Sequence, residues 1–364
     1  MKNAYVHIPF CKTICTYCDF CKMYYNEKWA NLYLDALEKE INSKYRNESL
    51  NTIYIGGGTP NSLSLEELEK LFIILAKLKK EDSYEYTIEC NIEFLTIDQI
   101  FLMQKYGINR VSIGVQTFND KYLKFLNRNH TNDMVIEKIN LLKTYGINNI
   151  NVDLIYALPN QTTEELSKDI EFFKKLDIPH ISTYSLIIEQ NTVLSNLKVK
   201  NIDEDLDYEM YNLIINELDD YKHYETSNFS KEGYESKHNL TYWNNEHYYG
   251  FGLGASGYIG NIRYENTKSL NHYLEGIYLK EEEKLSKNEI IENEFILGFR
   301  KINGININDF KKKYNMDILK IDVIIDLLKK GKLINDGSNI KINESYVYTA
   351  NDILINFLGI DYEK

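Results

Sequence analysis

The sequence predicts an α/β fold: an open (β/α)6 partial barrel of the TIM type, followed by a small C-terminal winged-helix-like domain. Three observations carry this. Six short β-branched runs alternate with stretches that repeat apolar residues at helical spacing, the mark of parallel strands covered by helices. The spacing of those units suits an open barrel better than a doubly wound sheet. At 364 residues the chain also exceeds a typical single domain, so a large domain with a smaller one is the natural division.

The elements follow in order. Residues 5–8, 52–55, 86–90, 110–115, 151–155 and 180–186 read as strands. Residues 28–42, 65–78, 98–106, 133–145 and 164–176 carry the helical period between them. Tyr106-Gly107-Ile108-Asn109 and Tyr145-Gly146-Ile147-Asn148 each join a helix to a strand, with glycine at the helix C-terminus. Residues 201–275 break the rhythm with one helix and then short aromatic and glycine-rich strands. From about Lys287 come three helical stretches and then two strands that turn at Asp336-Gly337. Acids and bases balance in that last part, so packing or partner docking suits it better than DNA binding. The expected division is 1–200 for the barrel, 201–280 for its extension and 281–364 for the C-terminal domain.

The formal net charge of −12 argues against nucleic acid, which would call for a basic footprint. Of five cysteines, four fall between residues 11 and 21, a metal or redox pattern and not a disulfide framework. The first residues run directly into a strand with no signal-like apolar region, and no stretch of 18 apolar residues offers a membrane span. The expectation is a soluble, cytoplasmic protein in which thiols stay reduced.

The chemistry concentrates at Cys11, Cys15 and Cys18, spaced C-x-x-x-C-x-x-C in one short loop. Three thiolates there can ligate three irons of a 4Fe-4S cluster. The fourth iron is then open to the amino and carboxylate groups of S-adenosylmethionine, whose sulfonium C–S bond an electron from the cluster can cleave. Zinc would more usually take four ligands in paired C-x-x-C form, and core cysteines do not cluster in this way.

In parallel barrels functional groups gather at the C-terminal ends of the strands, and the other motifs fall there. Gly56-Gly57-Gly58-Thr59-Pro60 follows the second strand and lets the backbone approach a ligand closely, although a turn-only role fits it equally. Glu89 ends the third strand, Gln116 the fourth, and Asp153 lies in the fifth. The two carboxylates suit ribose hydroxyls or an ammonium group. Arg128 suits a cofactor carboxylate, and Tyr17 an adenine ring. Taken singly, each fits a surface ion pair or a helix cap as well.

Assembled, these motifs resemble radical S-adenosylmethionine proteins of the oxygen-independent coproporphyrinogen oxidase superfamily, and within it the branch described as heme chaperones. The resemblance covers nearly the whole chain. It rests on His7-Ile-Pro-Phe-Cys11, Cys15-Thr-Tyr-Cys-Asp-Phe20, Gly56-Gly-Gly-Thr-Pro60, Arg110-Val-Ser-Ile-Gly-Val-Gln116, Asp153-Leu-Ile-Tyr156, His180-Ile-Ser-Thr-Tyr184, Tyr224-Glu-Thr-Ser-Asn228 and His238-Asn-Leu-Thr-Tyr-Trp243. It implies that Tyr5, Tyr17, Gly57, Gly58, Thr59, Glu89, Gln116, Arg128 and Asp153 contact S-adenosylmethionine. It also implies heme as cargo, apo-hemoproteins as acceptors and a reductant protein as the electron source.

Two features speak to the branch. The oxidases carry a fourth cysteine two residues after the third, where this chain has Phe20; Cys21 lies one step further, a spare thiol or a cluster neighbour. The chaperone motif H-N-x-x-Y-W is complete, and His238, Tyr242 and Trp243 become heme candidates, imidazole as an axial ligand and the aromatic rings as flat faces. The chain departs from the family at Asn91-Ile92, where relatives carry Asn-Pro, and at Ser256, where many place histidine. Three functions follow as expectations: a heme chaperone first, a coproporphyrinogen III oxidase as the alternative, and a radical methyltransferase or cyclase as the third.

Overall fold

A computed structural model of the protein describes residues 2–362. Six parallel strands form the frame: β1 (Asn3–Ile8), β2 (Leu50–Gly57), β3 (Lys80–Cys90), β4 (Arg110–Gln116), β5 (Asn149–Tyr156) and β6 (His180–Ser185). They lie side by side in chain order, each joined to the next by a crossover that includes a helix. The covering helices are α1 (Glu27–Lys44), α2 (Leu65–Leu75), α3 (Ile97–Lys105), α4 (Asn132–Thr144) and α5 (Thr163–Lys175). Their starts are written in the sequence. Ser64 with Glu67, and Thr162 with Glu165, close reciprocal caps on α2 and α5, and Thr96 and Thr131 cap α3 and α4. Their ends are written too. Gly107 and Gly146 follow α3 and α4 at φ of 81° and 82°, a left-handed conformation that explains why the same Tyr-Gly-Ile-Asn turn occurs twice.

The sheet extends beyond these six strands. Tyr249–Phe251 adds in parallel to β1 at one edge, and the antiparallel pair Asn228–Ser230 and Lys222–Glu225 adds beyond β6 at the other. The two edges do not pair with each other, so the nine-stranded sheet stays open. Alternate residues of the strands face opposite ways. Val6, Ile8, Ile53, Ile55, Ile88, Val111, Ile113, Val115, Val152 and Ile181 belong to the large apolar core shared with the helices. Burying each such side chain contributes on the order of 1.5–3 kcal/mol, and this layer holds the barrel together. The opposite set is polar and faces inward.

After the sheet come a three-stranded antiparallel sheet (Ser256–Ile259, Ile262–Asn266, Leu279–Lys284) and the C-terminal unit. That unit packs helices Lys287–Gly298, Ile307–Tyr314 and Asp322–Lys329 against a small sheet of Ile305–Asn306, Leu333–Asn335 and Asn339–Ile342. The Asp336-Gly337 turn lies where the sequence puts it, Gly337 at φ 93° and the Asp336 carboxylate accepting from the backbone of Ser338 and Asn339. This arrangement of helices and hairpin is winged-helix-like. Its apolar core is separate, centred on Phe295, Phe299, Phe310 and Phe357. It is tied to the barrel extension through Ile302 N–H to Tyr224 O and Thr226 N–H to Arg300 O. Among the described residues no helix is long and apolar enough to cross a membrane.

Candidate functional site

The cysteine loop leaves β1 and is held in place from several sides. Phe10–Cys11 pairs in parallel with Met23–Tyr24, which closes the loop at its base. Backbone and side-chain bonds from Thr16 reach Leu126 and Phe125, Asn127 donates to Ile14 O at 2.8 Å, and Leu194 N–H donates to Thr16 O at 3.1 Å. The far end is held by His7. Tyr5 donates its hydroxyl to His7 Nδ1 at 2.9 Å, so Nε2 carries the proton and donates to Cys21 O at 2.7 Å. Burial lowers His7 to about 4, which keeps it neutral in that role.

Cys11, Cys15 and Cys18 all line one cavity of about 430 Å³ at the C-terminal ends of the strands. Gly58 makes room for them: a Cβ there would lie 2.9 Å from Cys11 Sγ and from the Pro9 carbonyl carbon. Burial pushes the Cys11 thiol up to about 11 and raises Cys18, with Lys22 working the other way at both. A positively charged metal centre is what would draw protons off such thiols. Three soft donors that line one cavity suit a cubane, which takes one thiolate on each of three irons. The residues therefore fit a 4Fe-4S cluster.

The other wall is built from the inward positions of β2 to β6. The Glu89 carboxylate accepts from the Tyr54 hydroxyl at 2.8 Å and from Gly57 N–H at 3.0 Å. Gly56 is needed beside it, since a Cβ would come within 2.9 Å of that carboxylate. Burial, reinforced by Asp153, pushes Glu89 up to about 7, and burial raises Asp153 as well. Arg128 donates to Asn91 Oδ1 at 2.6 Å and to the Tyr17 hydroxyl at 3.1 Å, while its buried Nε has no partner. Gln116 turns out of β4 at φ +76°, a conformation costly for a non-glycine residue and common where a side chain must be aimed at a ligand.

The structure brings together most of what the sequence singled out. Tyr17, Gly57, Gly58, Thr59, Glu89, Gln116, Arg128 and Asp153 line the cavity with the three cysteines. Tyr5 is not among the lining residues; its ring stacks on Tyr54 at 6.2 Å and its hydroxyl serves His7. Cys21 also lies outside the lining, with its sulfur near Gly254.

His238, Tyr242 and Trp243 do not join the cysteines either. His238 is 1% exposed, and both its ring nitrogens are engaged inside the barrel. Thr52 Oγ1 donates to Asn3 Oδ1 at 3.1 Å, so it accepts from His238 Nδ1–H at 2.7 Å. Nε2 then accepts the Tyr242 hydroxyl at 2.8 Å. Burial, with Arg110 adding to it, lowers His238 to about 3. The expected heme ligand thus has no nitrogen free in this conformation. Trp243 lies apart, with the Arg300 guanidinium 5.6 Å from its ring.

Tyr54, Arg110, Ser112, Asn151, Ser182 and Tyr184 line the cavity without having been singled out. A signal for them was available. Each sits an even number of residues from a recognised inward position on its own or a neighbouring strand, and strands alternate faces with a period of two.

Comparison with known proteins agrees with this geometry. The Radical SAM superfamily matches residues 5–173. The chain is 41% identical to heme chaperone HemW of Lactococcus lactis subsp. lactis, over 98% of this chain and 97% of that protein. It is 39% identical to heme chaperone HemW of Bacillus subtilis, over 99% of this chain and 100% of that protein. Coproporphyrinogen III oxidase (HemN) from Escherichia coli superposes with a TM-score of 0.85, covering 98% of this chain and 89% of that one. At 21% identity that likeness shows the fold. On these identities and coverages, the chain belongs to the HemW family of the radical SAM superfamily.

Proposed function

We propose that this protein binds heme and hands it to apo-hemoproteins, and that it holds one 4Fe-4S cluster on Cys11, Cys15 and Cys18. As a radical SAM protein it takes the cluster and S-adenosylmethionine as cofactors. When bound, the cluster supplies one electron. In this reading Arg128 faces the cofactor carboxylate, Gly57, Gly58 and Thr59 offer backbone contacts, and Glu89 and Asp153 take hydroxyl or ammonium groups. Gln116 and Tyr17 complete the wall, and Tyr5 acts from behind it through His7. A reductant protein delivers the electron. Residues 1–200 serve as the cofactor barrel, 201–280 as its extension and 281–364 as a docking unit. His238, Tyr242 and Trp243 remain heme candidates, on condition that Tyr242 releases His238 Nε2.

One observation carries the reading: the thiols of Cys11, Cys15 and Cys18, two guanidinium groups and four carboxylates line a single cavity in a chain of the HemW family. Phe20 supplies no fourth thiol, which counts against the oxidase alternative. The test is anaerobic reconstitution, with absorption spectra recorded with and without added heme. Broad iron–sulfur absorption and a new heme band are expected, with the first lost in Cys15→Ala. Iron and sulfide surviving in Cys15→Ala would remove the cluster assignment. Conversion of coproporphyrinogen III to protoporphyrinogen by the loaded protein would overturn the chaperone reading.

A further inference from the structure

Three large apolar side chains stand in solvent at the mouth of the cofactor cavity. Phe20 is 64% exposed, Tyr184 42% and Ile187 64%, and all three line the cavity. Single exposed hydrophobic residues are ordinary, but three gathered at one opening mark a binding surface. They stand on opposite lips. Phe20 projects from the cysteine loop after β1, whereas Tyr184 and Ile187 lie at and just past the end of β6, five strands away in the sheet. The lips meet below the opening, where Leu194 N–H donates to Thr16 O. The result is a slot with apolar sides above a polar interior.

The chemistry of the slot selects its occupant. A ligand that filled the cavity itself would meet Glu89, Asp153, Arg110 and Arg128; one that stays at the mouth packs on Phe20, Tyr184 and Ile187, with the exposed carboxylates of Asp19 and Glu189 beside them. A flat apolar body can pack on all three side chains at once, because an aromatic face and a branched aliphatic chain both pack on a planar ring. Lys22 lies at the same opening, its ammonium near the carbonyls of Cys18 (2.5 Å) and Phe20 (3.4 Å). It supplies a cation for a carboxylate on the ring's periphery in a chain whose net charge is −12. Among the described residues no histidine lines the cavity in this conformation, so the first contacts at the mouth are with the ring and not the iron.

We propose that heme docks in this slot, its macrocycle held between Phe20 on one lip and Tyr184 and Ile187 on the other, with a propionate facing Lys22. This rests on the heme reading above and specifies where the cargo sits. Recognition here is through the ring and its carboxylates, so metal-free protoporphyrin IX occupies the same slot.

The experiment titrates the full-length protein with heme, followed by its absorption band, and with protoporphyrin IX, followed by fluorescence. Phe20→Asp and Ile187→Asp each weaken binding of both ligands about tenfold or more, because each puts an unpaired charge against an apolar face. Ile187→Asp lies on the lip away from the cysteines, so its effect is read without disturbing the cluster loop. Phe20→Leu retains binding to within about threefold, because apolar contact is kept. Unchanged heme binding in both aspartate variants overturns the slot while leaving the heme reading in place. Heme binding without any protoporphyrin IX binding overturns it too, since iron ligation would then be doing the recognition. If the unaltered protein binds neither, the heme reading itself falls.

Discussion

The barrel interior and the C-terminal unit solve the same packing problem in opposite ways. In the C-terminal unit Phe295 meets the rings of Phe357, Phe310, Tyr362 and Phe299 at 4.7, 5.3, 5.5 and 6.0 Å, a core of stacked and tilted aromatics. The barrel interior holds Thr52, Tyr54, Glu89, Arg110, Asn151, Asp153, His180 and His238, joined by hydrogen bonds such as His180 to Asn151 and His180 to Tyr224. Ordinary closed barrels fill that space with branched aliphatic side chains. Here the apolar layer is on the outer face, and the interior is left polar for a ligand. A polar interior adds little net stability, because hydrogen bonds there replace those made with water, and every unsatisfied group costs free energy. The difference teaches that one region is built for stability and the other to receive something.

That contrast can be broken experimentally. The largest effect belongs to the aromatic core. Phe295→Ala leaves a cavity among four rings and costs about 3–5 kcal/mol of stability in chemical denaturation. Iron and sulfide per chain after reconstitution stay at the parent level. If cluster loading fell with stability, the two regions would not be separable.

A substitution in the barrel interior has the opposite sign. Glu89 titrates at about 7 in the fold against an ordinary 4.5, so the native protein retains a proton that the unfolded chain has released. Its contribution therefore erodes as pH rises from about 4.5 to about 7, by on the order of 3 kcal/mol in all. Glu89→Gln removes that loss. In the cofactor-free protein the variant is the more stable of the two at pH 8, with the advantage shrinking towards pH 5. Asp153 and Glu225 are raised as well, so the measure is the difference between variant and parent denaturation curves at each pH. Parallel pH profiles would show that Glu89 is not held in this way.

Arg128 tests the interior as a receptor. Arg128→Ala weakens S-adenosylmethionine binding to the reconstituted protein by roughly 1–3 kcal/mol, the range for a charge-assisted hydrogen bond, as read by calorimetry. An unchanged affinity would take Arg128 out of the site. The smallest effect is expected at Cys21, whose thiol lies outside the cavity lining. Cys21→Ala leaves iron, sulfide and the cluster spectrum at parent values, and a lost cluster would mean a four-cysteine site.

Much of this was legible beforehand. The βα alternation, the helix caps and the Cys11, Cys15, Cys18 loop are local patterns, and each reports a local physical requirement. Gly107 and Gly146 could be read as helix ends because only left-handed backbone fits there. Arg110, Tyr54 and Asn151 were not singled out as site residues, although period-two alternation places them on the inward face. A buried arginine opening a β-branched strand looks in sequence like the solvent-facing start of that strand, and its 2% exposure is set by neighbours from distant strands. The surroundings of His238 were out of reach for the same reason. Its motif made it a heme candidate, but its partners Thr52 and Tyr242 stand 186 residues and 4 residues away, and no local pattern reveals the first.

The sequence by itself determined the fold class and the cysteine loop, because these rest on short-range spacing: period two, period 3.6 and the gaps between cysteines. The family resemblance rested on whole motifs such as Gly56-Gly-Gly-Thr-Pro60 and His238-Asn-Leu-Thr-Tyr-Trp243. Tertiary structure alone decided which face of each strand carries the ligand, which histidine nitrogens are engaged and which apolar residues flank the cavity mouth. Those outcomes depend on the packing of the open strand array as a whole. That packing brings Phe20 and Ile187, far apart along the chain, to the mouth of one cavity.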